Sequence, residues 1–98
     1  MTNTIHEENT KLQQLVEEYE KVAYSRFYCE LHIDRAFKNG SDDEYFTFAT
    51  IGKRFHFMQY RLQEEINHEV KHLDMAEMNA LDYKACYKAR EDFFAQYH

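Results

Sequence analysis

Ninety-eight residues leave room for one hydrophobic core and not for two. With 44% apolar and 31% charged residues, and no long uncharged apolar run, the composition excludes a membrane span and describes a chain of amphipathic elements. Eighteen acids against twelve Lys and Arg give a formal charge of -6, the wrong sign for coating a phosphate backbone, so direct nucleic-acid binding is not expected.

Two glycines and no proline are too few turn formers for a protein built of strands, and the expected class is all-α. The first predicted helix covers about residues 5–38, where Leu12, Val16, Tyr19, Ala23 and Phe27 recur at steps of three and four, with Leu15 and Val22 beside them. A turn at 39–41 follows. Gly40 can take the left-handed conformation that ends a helix, and Ser41 with Glu44 reads as a Ser-x-x-Glu capping box. Asp42 and Asp43 then lie at the positive end of the next helix dipole. So short a connection makes an antiparallel hairpin.

The second predicted helix covers about residues 42–72, with Phe48, Ile51, Phe55, Met58, Leu62, Ile66 and Leu73 as its apolar stripe. Both helices rise equally per residue, so partners across the hairpin should have numbers that add to about 80. Leu12 then meets Ile66 to Glu69, Tyr19 meets Leu62, and Phe27 meets Ile51 to Phe55. A third helix over about 75–97 carries Met75, Met78, Cys86, Ala89, Phe93 and Tyr97, with Asp74 or Asn79 available as a cap. Folded back along the hairpin, it gives a three-helix bundle in a single domain, one that can also dimerise. Continued from the second helix instead, it would leave a long rod with a naked apolar face.

The fold-back places Phe27, Tyr28, Phe55, Phe57, Phe93, Phe94 and Tyr97 near one end of the bundle. It separates Cys29 from Cys86 by roughly ten residues of helix, about 15 Å, so both should remain reduced. Two cysteines and an opening stretch with no basic-then-apolar pattern make the expected compartment the cytoplasm.

Three spacings bear on chemistry. His68-Glu69-Val70-Lys71-His72 matches the H-E-x-x-H pattern of zinc metallopeptidases, although Lys71 puts a cation inside the motif and the chain has no strand to align a peptide. The overlapping pairs Glu65 with His68 and Glu69 with His72 look like the Glu-x-x-His pattern of ferritin-like di-iron bundles, and a hairpin that dimerises resembles the encapsulated-ferritin-like proteins. That resemblance implies iron or zinc held by Glu65, His68, Glu69 and His72, completed by carboxylates from another helix or a second subunit. Arg26 with His32, and Arg61 with His68, match the loose Arg-to-His spacing of helical ribonucleases of the HEPN type. Arg26 also has a structural partner available four residues on, Glu30. No cofactor is required by the reading preferred here, and no nucleophile stands beside a base.

That reading rests on the rings. Eight Tyr and eight Phe exceed what a slim bundle can bury. Phe27, Phe48, Phe55 and Phe93 fall on core stripes, whereas Tyr24, Tyr28, Tyr45, Phe46, Phe57, Tyr60, Tyr83, Tyr87 and Phe94 lie off them. Aromatic anchors with acidic steering suit a protein-protein contact, so the expected function is an inhibitor or adaptor that occupies a basic surface of another protein, by analogy with phage and plasmid counter-defence proteins.

Overall fold

The computed structural model describes the backbone of residues 2–69 and 75–97 and the side chains of residues 11–69 and 76–97. Helix α1 runs Thr2–Asn39, α2 runs Asp42–Glu69 and α3 runs Met75–Gln96. Helix α1 packs against both others, and α3 returns along it, so the extended rod is not formed and the chain is a three-helix bundle. The long axis of 58 Å is close to the length of α1 alone, about 1.5 Å for each of its 38 residues. None of the described helices is long and apolar enough to cross a membrane.

The turn is built as its residue types dictate. Gly40 has φ +70°, and its N–H donates to the carbonyl of Phe37 at 3.3 Å while the N–H of Ser41 donates to that of Ala36 at 2.9 Å. This is the doubly bonded Schellman end, which satisfies carbonyls that the last turn leaves free. Space is open around Gly40, so an alanine there meets no neighbour and carries only the left-handed strain, about 1–2 kcal/mol. The Ser41 carbonyl accepts the first bond of α2, from Tyr45 N–H at 3.0 Å. Glu44, expected to complete a capping box, has its carboxylate 3.9 Å from the Arg35 guanidinium.

Register follows from this turn. Lys11 with Glu69, His32 with Phe48 and Arg35 with Glu44 are cross-hairpin pairs whose numbers add to within one residue of 80. Across α1 and α3, Tyr19 reaches Asp82, Tyr24 reaches Asp92 and Tyr28 reaches Gln96, so the two helices run in the same direction.

Small residues set the helix spacing. Ala23, Ala36, Ala85 and Ala89 are buried, and a Cβ on Gly52 would stand 3.4 Å from that of Cys29. Tyr19 and Ile66 are the largest side chains hidden completely, and Leu12, Leu15, Val16, Tyr24, Phe27, Leu62 and Leu81 pack around them. Two stripe assignments need correction. Ile51 and Met58 are exposed, by 36% and 47%, and Gln59 occupies the buried position. The reason is chemical: Gln59 has polar partners on both neighbouring helices, and α2 turns to bury it, which rolls Met58 and Ile51 outward. Cys86 is only half-buried. The expected end of the second helix at 72, Leu73 of its stripe and the Asp74 cap lie outside the described residues, as does the side chain of Met75.

Candidate functional site

Midway along the bundle one polar cluster ties all three helices. Tyr19 donates its hydroxyl proton to Asp82 Oδ1 at 2.7 Å. Gln59 Nε2 donates to the same carboxylate oxygen and to the Tyr19 oxygen, both at 2.9 Å. Arg26 Nη1 donates to Gln59 Oε1 at 2.8 Å, and its Nε to Glu30 at 3.1 Å. Burial, reinforced by the hydrogen bond to Asp82, pushes the Tyr19 phenol up to about 12, so it stays a proton donor at any physiological pH. The inner members of the cluster bond to one another, while Glu30 at its edge is exposed.

Toward the turn the cement is aromatic. His32 is buried, with its ring stacked on Phe48 at 4.1 Å and 6°. Phe93 and Tyr97 meet it at steep angles, at 5.1 and 5.3 Å, and Tyr28 lies 5.0 Å away. Its Nδ1 is buried with no hydrogen-bond partner. Burial holds the imidazole below its ordinary pKa and Arg35 adds to this, against the opposing pull of Glu44. Of the rings expected to converge at this end, Tyr28, Phe93 and Tyr97 do so, with Phe94 edge-on to Phe93, and they gather around His32, which periodicity alone does not single out, while Phe27 packs on the core of Tyr19 and Ile66. Phe57, expected among them, is turned to solvent with 60% of its surface exposed.

The nine off-stripe aromatics divide by partner. Tyr24 and Tyr28 are half-buried, and their hydroxyls donate to Asp92 Oδ2 and Gln96 Oε1, each at 2.6 Å. The hydrogen bond to Asp92 pushes the Tyr24 phenol up to about 12. These two tyrosines clasp α1 to α3. Tyr45 is half-buried and meets Phe46 edge-on at 5.6 Å. The remaining six are exposed: Phe46, Phe57 and Tyr60 on α2, and Tyr83, Tyr87 and Phe94 on α3. Phe37, which lies beyond the predicted stripe of the first helix, is exposed by 77% and belongs with them. Phe37 and Phe46 line one shallow cleft at the tip of the hairpin together with Gly40, Ser41, Asp42 and Tyr45.

Among the described residues, the metal-type side chains are arranged differently from what a ferritin-like site requires. Glu69 Oε1 lies 2.7 Å from Lys11 Nζ, so the facing helix offers a cation where a second carboxylate is needed. That ammonium holds the Glu69 carboxyl below its usual range. Glu65 and His68 are exposed, and His72 lies outside the described residues. Among the described residues no group of three His, Cys, Asp or Glu side chains is placed to hold a metal ion. Of the two ribonuclease-type pairs, Arg26 is bonded to Gln59 and Glu30 while His32 is enclosed by rings, whereas Arg61 and His68 are both exposed and line one open cleft with Lys11, Glu64, Glu65 and Glu69. Both cysteines are free, and burial pushes the Cys29 thiol up, away from thiolate chemistry. No known protein family, curated protein or solved structure matches the chain.

Proposed function

We propose that the protein is a small acidic binding module that docks its hairpin tip on a basic surface of a larger protein, as an inhibitor or adaptor. A nucleic-acid-handling enzyme, whose working face is basic, is the kind of client this suits. The observation that carries the reading is the tip itself: Phe37 and Phe46 are 77% and 66% exposed, and Asp42 and Asp43 between them are exposed as well. Solvated phenylalanines contribute about 25 cal/mol for each Å² they bury on a partner, and the aspartates select one that is positive. The net charge of -6 steers encounter in the same sense. The tip is held firmly for such a role, since the two hydrogen bonds of the Schellman end and the ring packing around His32 lie directly behind it.

The experiment is photo-crosslinking from positions 37 and 46 in host extract. The expected product joins the chain to a protein with a basic surface, fades at high salt, and is lost with both Phe37→Ser and Asp42→Lys/Asp43→Lys. Products that survive the aspartate reversals, or crosslinks that arise equally from a probe at Tyr83 on α3, would remove the tip from consideration.

A further inference from the structure

The outer side of α2 carries a strip that the bundle leaves unused. Lys53, Phe57, Tyr60 and Glu64 follow at steps of four, three and four residues, which puts them on one narrow line of the helix, opposite the inward line of Phe48, Gly52, Phe55, Gln59 and Ile66. All four are exposed, the two rings by 60% and 59%. Among the described residues, neither Lys53 nor Glu64 has an ion-pair partner. The inward hydrogen bonds of Gln59 to Arg26, Tyr19 and Asp82 fix the rotation of α2 and therefore the direction in which this strip points.

Along the strip the order is cation, ring, ring, anion. Turned end for end, it is the complement of itself, whereas laid parallel on a copy it sets like charge on like. We infer that the outer face of α2 binds a second copy of the chain, antiparallel, about a two-fold axis at the level between Met58 and Gln59. Phe57 then packs on the partner's Tyr60 and Lys53 meets the partner's Glu64, and the symmetry makes each contact twice. The four-three spacing is that of helices crossing at about 20°. The other outward ring strip, Tyr83, Tyr87 and Phe94 on α3, lacks this property, because the charged residue on its line is the cation Arg90, with no acid on that line to answer it across a two-fold axis. A contact of this length falls below the roughly 800 Å² per partner of a standard interface, so the dimer dissociates on dilution. The α2 pairing leaves the tips free. Ser41 lies 17 to 18 residues from the axis, so at about 1.5 Å per residue the dimer presents its two tips about 50 Å apart.

Sedimentation equilibrium of the full chain over a wide concentration range, at low and high salt, tests this. The expected result is a reversible monomer–dimer equilibrium, weaker in salt and weakened about tenfold or more by Lys53→Glu and by Glu64→Lys separately. The double exchange Lys53→Glu/Glu64→Lys restores it, a rescue that no loss of folding can mimic. Phe57→Ser is a second route to the monomer, with the circular dichroism melt confirming that the bundle is intact. A monomer at every concentration, a dimer indifferent to Lys53→Glu, a double variant no better than the single ones, or a dimer abolished instead by Tyr83→Ala/Tyr87→Ala would each overturn the assignment. Phe37→Ser, which disarms the tip, leaves the dimerisation constant unchanged, so this inference and the proposed function fail separately.

Discussion

The middle of the bundle and its turn end both join three helices around a buried polar side chain, and they do so by opposite means. Gln59 is buried because its amide is bonded on every side, to Arg26, Tyr19 and Asp82. His32 is buried because its ring is flat and fits against Phe48, Phe93 and Tyr97, while its Nδ1 goes unpaired. The first arrangement depends on polarity and the second on shape. A hydrogen-bonded buried group cannot be removed without stranding its partners, whereas an imidazole held by its ring face can be exchanged for an apolar ring.

That contrast predicts unequal responses to similar substitutions. Gln59→Leu keeps the volume but takes a donor from Asp82 and an acceptor from Arg26, and should cost about 1–3 kcal/mol in denaturant-unfolding free energy. A change indistinguishable from zero would mean that the cluster is not what holds α2 in its rotation.

His32→Phe should leave stability at neutral pH within about 1 kcal/mol and remove a specific acid sensitivity. The folded imidazole titrates below its ordinary value, so the unfolded chain binds more protons in the interval between the two values, and stability rises with pH there. In the native protein this contribution is present above the unfolded value of about 6.5 and declines as pH falls toward the folded one. Melting temperatures of the two proteins, compared between neutral and mildly acidic buffer, should diverge by a few degrees, with the variant losing less. Parallel curves would show that His32 stays neutral in both states or is protonated in both.

The smallest effect is expected outside either region. Tyr83 is 79% exposed, and Tyr83→Ser should change unfolding free energy by no more than about 0.5 kcal/mol. A larger loss would show that α3 uses its outer ring within the monomer.

Much of the fold was legible because it is local. Gly40 followed by Ser41 and Asp42 marks a helix end and a helix start without reference to anything distant, and once that turn is placed the pairing of Lys11 with Glu69 follows by counting. The rotation of α2 was not legible. Ile51 and Met58 complete a better apolar periodicity than Gln59 does, and only the presence of Arg26 and Asp82 on two other helices makes a glutamine the better residue to bury. The same limit applies to the rings. Tyr24 and Tyr28 read as surplus until Asp92 and Gln96 come alongside, and Phe37 draws no notice until the hairpin closes beside Phe46. The Glu65 to His72 spacing sets Glu69 one turn from a histidine, yet spacing along one helix is silent about the lysine that faces it.

By itself the chain determined its helices, the antiparallel hairpin of the first two, its acidic charge and an excess of rings over hiding places. These follow from neighbours within a few residues and from totals, which survive without knowledge of any partner in space. Tertiary structure alone decided which rings are hidden, which side of α2 faces water, and that His32 sits enclosed. Each of those outcomes is a competition between side chains far apart in sequence for the same buried volume and the same hydrogen bonds, and such a competition is settled only when the helices meet.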